Sequence, residues 1–288
     1  MLKILGTYSS KLIIVTAAIV LGLYGLGCLC LWLFQNRLIF FPVKVISETP
    51  KQYGVPYRDL FIPVSDTGEK INGWLFPAPK TEQKSKWLVY FHGNGDNISW
   101  NIQKAIKLRD LGFSVLIVDY RGYGFSEGKF PTEKTVYQDA EAAWNYLTEK
   151  EQIKPSQILI YGFSLGGAVA IELASKHPDA LGLIVESSFT SIVDMTNKTS
   201  LPPIFPLKLL VNQHFNSIAK IKSLSMPVLF IHGTEDRVVP YTMSKELFAA
   251  ASEPKQLVLV PDGGHYDSAF QDHPLYFQSI KNFVRSFD

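Results

Sequence analysis

Cysteine is nearly missing from this 288-residue chain; there are two, Cys28 and Cys30, both inside one apolar run. A pair so placed builds no disulfide framework and leaves the redox compartment open, although either thiol offers a position for an acyl group. Charge is scarce too. Charged residues make up 19% of the chain, 28 basic against 26 acidic, for a formal net charge of +2. So even a balance lacks the basic footprint of a nucleic-acid-binding protein. With 47% apolar residues it also excludes disorder for most of the chain, which needs low hydrophobicity and high net charge. Repeats and low-complexity tracts are absent. So are a His-Glu-x-x-His zinc motif, a P-loop and the dinucleotide-binding Gly-x-Gly-x-x-Gly: Gly93-x-Gly95 is followed by Ile98, and Gly122-x-Gly124 by Glu127. The length suits one large domain or two small ones.

The apolar residues are unevenly spread. Mean hydropathy is +0.08, and much of the excess lies in Leu12–Phe34, a run without a single charge that Gln35-Asn36-Arg37 closes. At ~1.5 Å per residue such a helix crosses a hydrocarbon core of ~30 Å. Lys3 and Lys11 resemble the basic start of a signal peptide, but an apolar signal core spans only about 7–15 residues before a small-residue cleavage site. Here the run continues through Leu29, Leu31 and Trp32. A lipobox at Cys28 fits Gly25-Leu26-Gly27 poorly. An uncleaved single-pass anchor at residues 12–34 is therefore expected, with residues 1–11 as its flank and 35–57 as a connector. Taking Lys3, Lys11 and Arg37 from the 28 basic residues leaves 25 against 26 acidic ones. The body is thus almost neutral, and the basic residues on the anchor's two flanks balance, so they set no orientation.

Beyond the connector, strands are expected at Asp59–Val64, Gly73–Phe76, Trp87–Phe91, Ser114–Val118, Ile158–Tyr161, Leu183–Val185, Val228–Ile231 and Leu257–Val260. The last six are short continuous apolar runs, the pattern of strands buried on both faces. Helical spacing falls between them, at Ile98–Asp110, Glu133–Thr148, Leu165–Lys176, Met243–Ala251 and Pro274–Phe287. Strands alternating with helices imply an α/β fold, a parallel sheet between helical layers. The interval 187–225 has no clear strand, and its prolines break any long helix at the start. It reads equally as a lid over a site or as structural packing at the sheet edge.

The segment Ile158-Leu-Ile-Tyr-Gly162-Phe-Ser164-Leu-Gly166-Gly167 runs from an apolar strand into a helical stretch. This is Gly-x-Ser-x-Gly in the strand–turn–helix context that exposes a nucleophilic serine. Glycines tolerate the close backbone approach of so tight a turn, and the helix start directs N–H groups at developing negative charge. A serine needs a base. Of six histidines, His177 and His214 are expected to be exposed, His273 opens the last helix, and His92 and His232 end strands in structural roles. His265 follows two glycines after the last strand and is the expected base. Asp236, after Val228–Ile231, is the expected carboxylate, with the neighbouring Glu235 as its competitor and Asp262 as a weaker one. Ser164, Asp236 and His265 then stand in the chain order of the α/β-hydrolase arrangement. The expected oxyanion donors are the backbone N–H groups of Leu165 and of Asn94 in His92-Gly-Asn-Gly.

The set His92-Gly-Asn-Gly, Asp119-Tyr-Arg-Gly-Tyr-Gly-Phe-Ser-Glu-Gly128, Gly162-Phe-Ser-Leu-Gly-Gly167, Gly233-Thr-Glu-Asp236 and Gly264-His265 resembles the α/β-hydrolase superfamily over residues 58–288. With the anchor, it looks like the membrane-anchored branch that holds lysophospholipid lipases and protein depalmitoylating thioesterases. The resemblance implies an eight-stranded, mostly parallel sheet and hydrolysis of acyl esters or thioesters. Within it Asp119 organises its glycine-rich turn, and Asn94 stands where many esterases carry a further glycine. Aspartate in place of Ser164 would have marked a dehalogenase or epoxide hydrolase. The expectation is a membrane serine hydrolase that acts on a small-molecule or lipid acyl substrate without metal or cofactor. A serine aminopeptidase and a non-catalytic scaffold are its rivals. The first would want an acidic cluster in 187–225, which carries only Asp194.

Overall fold

The computed structural model describes residues 2–65, 67–79, 86–198, 204–266 and 273–287, with side chains from residue 11 onward. Parts of the expected flank 1–11, of the interval 187–225 (residues 199–203) and of the stretch after His265 (residues 267–272) lie outside the described residues.

Eight strands form one sheet: β1 (Arg58–Pro63), β2 (Lys70–Phe76), β3 (Lys86–Phe91), β4 (Phe113–Val118), β5 (Ile158–Phe163), β6 (Gly182–Glu186), β7 (Val228–Gly233) and β8 (Lys255–Val260). Their spatial order is β8-β7-β6-β5-β3-β4-β2-β1. Only β2 runs against its neighbours; every other pairing is parallel. This is the eight-stranded, mostly parallel sheet that the resemblance implied.

Alternation along the central strands explains the continuous apolar runs. Val89 and Phe91 of β3 and Ile158 and Ile160 of β5 pack on one face, against the helices Glu133–Asn145, Leu165–Lys176 and Thr242–Ala250. Leu88, Tyr90, Leu159 and Tyr161 pack on the other, against Ile102–Asp110 and Pro274–Arg285. With a helical layer on each side, neither face can be polar. β1, at the edge, alternates toward solvent and leaves Phe61 exposed.

Two expected helices are subdivided. The stretch from Ile98 opens as a 3₁₀ turn, Ile98–Asn101, before the α-helix begins at Ile102. Asn97 causes this, because its Oδ1 accepts the Ser99 N–H while its Nδ2 donates to the carbonyls of Val43 and Val45. The helix from Glu133 is capped by Thr132 and loosens into a π-helical turn at Tyr146–Lys150. In the interval 187–225 the described residues form three short α-helices, Ile192–Lys198, Leu207–Leu210 and Ser217–Lys220, the last running on into a 3₁₀ turn at Ile221–Ser223. His177 is a correction: expected to be exposed, it is half-buried, stacked on Trp144 and bonded to Glu141.

A long helix, Leu2–Phe34, opens the chain, and its Lys11–Phe34 part is long and apolar enough to cross a membrane. The segment from Gln35 to the sheet is more than a connector. After a helical turn at Asn36–Ile39, the buried Phe40 packs edge-on against Phe215. Arg37 lies 4.8 Å over the Phe130 ring. Phe41–Pro42 then pairs in parallel with Gly95–Asp96, in the loop after β3.

Candidate active site

In a parallel sheet, ligands collect beyond the carboxyl ends of the strands where the chain order reverses. Here that point lies between β3 and β5, and the loops after β3, β5, β7 and β8 bring the singled-out residues together there.

Ser164 follows β5 directly, with φ 54° and ψ −118°, a conformation an L-residue holds only under constraint. The constraints are visible. Its N–H donates to the Glu186 carbonyl (2.8 Å), and its carbonyl accepts from the Ser188 hydroxyl (2.8 Å) and the Gly167 N–H (2.9 Å). A methyl group on Gly166 would collide with the carbonyl of Phe91, so glycine there lets the helix Leu165–Lys176 press its first turn on β3.

Gly233 does the same for the other two side chains. A methyl group there would strike the Gly263 backbone, and the bare backbones interlock through Thr234 N–H to Val260 O and Glu235 N–H to Gly263 O. The loops after β7 and β8 are thereby fastened together. His265 Nδ1 lies 2.6 Å from Asp236 Oδ2, and His265 Nε2 lies 3.0 Å from Ser164 Oγ. An ionised carboxylate only accepts, so Nδ1 carries the proton and donates it, leaving the Nε2 lone pair for the serine hydroxyl. Glu235 and Asp262, the competing carboxylates, are not buried as Asp236 is.

Asp236 is bound on every side. Its Oδ1 accepts from the N–H groups of Val238 (2.8 Å) and Val239 (2.7 Å), and His232 Nε2 lies 3.1 Å from its Oδ2. The same His232 nitrogen lies 2.9 Å from the Val239 carbonyl, while His232 Nδ1 faces the Ser244 hydroxyl at 2.6 Å. Both neighbours of Nε2 are acceptors, so it carries the proton and Nδ1 accepts from Ser244. Burial pushes the Asp236 carboxyl up, but the hydrogen bonds from His232, His265 and Val239 outweigh it and hold it well below the usual range. In the sequence His232 reads only as a strand-end histidine. Its contact with Asp236 has one signal there, the four-residue spacing, which does not by itself say that the loop turns back.

Asn94 and Leu165 border the space over Ser164, and among the described residues neither backbone N–H has a protein acceptor. The Asn94 carbonyl accepts from Tyr123 Oη (2.6 Å) and Phe41 N–H (2.9 Å), and its Nδ2 donates to the Ile39 carbonyl (2.9 Å). The side chain where many esterases carry glycine thus ties this loop to the segment after the N-terminal helix. Asp119 accepts the Ile98 N–H and lies 3.3 Å from His92, bracing the same loop from below.

Beneath Ser164 is a buried ionic group that no sequence motif announces. Lys104 Nζ donates to both carboxylate oxygens of Glu186 (3.0 and 2.8 Å), which also accepts from the hydroxyls of Tyr161 and Tyr276. Burial pulls the Lys104 ammonium down, opposed by Glu186; burial pushes Glu186 up, but Lys104 and the tyrosines outweigh it and leave it below its ordinary range.

Two cavities meet at Ser164. A cleft of about 820 Å³ is bordered by polar and aromatic groups that include Glu48, Asp96, Trp100 and Tyr266; an apolar one of about 330 Å³ lies on the other side. Among the described residues no cluster of side chains suits a metal ion.

Comparison with known proteins adds to this geometry. A family model described as serine aminopeptidase, S33, matches residues 82–220. The chain is 30% identical to the α/β hydrolase domain-containing protein WAV2 of Arabidopsis thaliana, over 92% of each chain. It is 33% identical to an uncharacterized membrane protein of Saccharomyces cerevisiae, over 88% of this chain and 90% of that one. Among solved structures, the esterase Pf2001 of Pyrococcus furiosus superposes with a TM-score of 0.70 at 21% identity, over 86% of this chain and 98% of that one.

Proposed function

The chain belongs to the α/β-hydrolase family, and from that premise we propose that it is a membrane-anchored serine hydrolase of carboxylic esters or thioesters carried by lipid or acylated substrates. The observation that carries this reading is the relay from Asp236 through His265 to Ser164, at 2.6 and 3.0 Å, ending on a serine held on a strained turn. In this reading His265 Nε2 takes the hydroxyl proton as Ser164 Oγ attacks the acyl carbon. The Asn94 and Leu165 N–H groups receive the oxyanion. The leaving alcohol or thiol departs with the proton from His265. Water, deprotonated by the same imidazole, then attacks the acyl-enzyme and frees the acid. Asp236 keeps the imidazole in one tautomer and stabilises its charged form.

The anchor rests on the Lys11–Phe34 helix, supported by the likeness to a yeast protein named for its membrane location. A fluorophosphonate probe is expected to label the parent and not Ser164→Ala; equal labelling of the two, or labelling of neither, overturns the mechanism.

The family model's description favours a second reading, a serine aminopeptidase using the same three residues. It requires a carboxylate to grip the substrate amine. Asp194, the sole acid of the interval 187–225, is already engaged by the hydroxyls of Thr190 and Ser191, and Glu48 of the polar cleft accepts from the Tyr53 hydroxyl, so Asp96 of the same cleft is the better placed for that task. Turnover of aminoacyl amides in preference to acyl esters would select this reading over the first.

A further inference from the structure

The apolar cavity beside Ser164 is built partly by the N-terminal helix. Leu31, in the helix's last turns, and Leu38 line one side of it, Met195 and Leu210 of the interval after β6 line another, and Ser164 with Leu165 closes the inner end. The helix and that interval are stitched together. Gln35 is buried and uses its whole amide: Nε2 donates to the carbonyls of Trp32 (3.0 Å) and Leu210 (3.2 Å), and Oε1 accepts from the N–H groups of Asn212 (2.8 Å) and Gln213 (3.1 Å). Higher up, Tyr24 donates to the Ile204 carbonyl and stacks on Phe205. Ile204 and Leu209 nonetheless stay exposed, as does the apolar run of the helix. With the helix read as the anchor, Ile204 beside Tyr24 lies against the same apolar run, and the cavity lies at the helix's last turns.

From this we infer that the cavity is the site of a single linear acyl chain, which enters from the lipid leaflet between the helix's last turns and the interval 204–211, with the helix itself as a wall. The assignment rests on the serine-hydrolase reading above. Three features lead to it. The lining offers a long chain apolar contact and gives a polar group little to bond. At about 330 Å³ the space stands at the lower end of ligand pockets, too small for a multi-chain lipid and on the scale of one chain. Its inner end is the serine, so a chain lying in it places its carbonyl carbon at Ser164 Oγ, and the leaving group faces the polar cleft bordered by Glu48 and Trp100. The C–O or C–S bond of the ester breaks toward that cleft as the Ser164 Oγ–acyl bond forms, and the serine proton leaves with the departing group.

The test uses the full chain in detergent micelles and p-nitrophenyl esters of acetate, octanoate and palmitate. Leu31→Trp and Leu210→Trp fill the cavity from two separate elements, and each is expected to lower the palmitate-to-acetate ratio of kcat/KM by about tenfold or more. Leu31→Ala, which enlarges it, is expected to raise that ratio, a direction misfolding does not produce. Because the ratio is taken within one preparation, an unfolded fraction cancels. Ratios unchanged in all three variants, with Ser164 still labelled by fluorophosphonate, place the chain elsewhere and overturn the inference while the hydrolase reading stands. A parent that neither labels nor cleaves any of the esters overturns both.

Discussion

Asp236 stands between two imidazoles, and the two contacts serve different ends. His265 turns its Nε2 lone pair to the Ser164 hydroxyl, whereas both nitrogens of His232 are taken up by Asp236, the Val239 carbonyl and Ser244, so that it only holds the carboxylate in place. Asp236→Asn is expected to lower kcat by about 10⁴-fold, because an amide that donates where the carboxylate accepted selects the wrong imidazole tautomer. Steady-state kinetics on a soluble ester, with a thermal melt to show the fold intact, would check it. The carboxyl also contributes to stability. Its folded-state pKa lies below the unfolded value of about 3.9, so its contribution is present above that pH and is lost as pH falls toward the folded value. Urea titrations from pH 7 downward should therefore show the gap between parent and Asp236→Asn narrowing once the pH drops below about 4. At the same scale, Lys104→Met removes the ammonium that faces the buried Glu186 carboxylate and is expected to cost about 3–5 kcal/mol in the same titrations. Adding Glu186→Leu should recover part of it. The single change should also slow fluorophosphonate labelling, because the Glu186 carbonyl holds the Ser164 N–H.

Among the elements, the first turn of the helix Leu165–Lys176 is pressed directly on the β3 backbone. Gly166→Ala drives a methyl into the Phe91 carbonyl, so either the helix retreats from β3 and Ser164 with it, or β3 distorts. Loss of at least 10²-fold in kcat/KM is expected from so small a displacement of the nucleophile, together with a lower Tm by calorimetry. Gln35→Leu tests a different junction. It removes the partners of the Leu210 carbonyl and of two N–H groups at once, and is expected to cost about 1–3 kcal/mol. Faster limited proteolysis within residues 204–213 would report it. This junction is invisible in the sequence, where Gln35 is simply the first polar residue after an apolar run. The central strands and the helix Leu165–Lys176 are legible because each declares itself locally, through continuous apolar runs or helical spacing. The subdivision at Ile98 is not, since it depends on Asn97 reaching Val43 and Val45, more than fifty residues away in the chain.

At the scale of the whole molecule, Ser164, His265 and Asp236, whose side chains meet in the structure, can be picked out of the sequence as a set because strand–turn–helix context and chain order constrain them strongly. The cavities cannot. The polar cleft takes Glu48 from the segment after the N-terminal helix and Trp100 from the loop after β3, and the apolar one joins Leu31 to Leu210. Such pairings are set by folding back, which no local pattern records. For the same reason residues 35–57, expected as a connector, turn out to border both cavities. With residues 12–34 read as the anchor, the protein is expected to stay with the membrane through alkaline carbonate extraction. Protease added to sealed vesicles should reveal which side carries residues 38–288.

The Gln35 junction sets a mechanical condition on that anchor. An ordinary spanning helix tolerates sliding and rotation, because lipid presents the same surface at every angle. Here one added residue between Leu31 and Gln35 would swing Leu31 by about 100° and move it about 1.5 Å along the axis, turning it away from the cavity that it lines. The same residue added near Leu12 would displace only the residues that precede it and leave Leu31 and Gln35 in phase with the sheet. The two ends of one helix are thus held to different tolerances: the outer turns need only be oily, while the last ones must keep their rotational phase with the sheet.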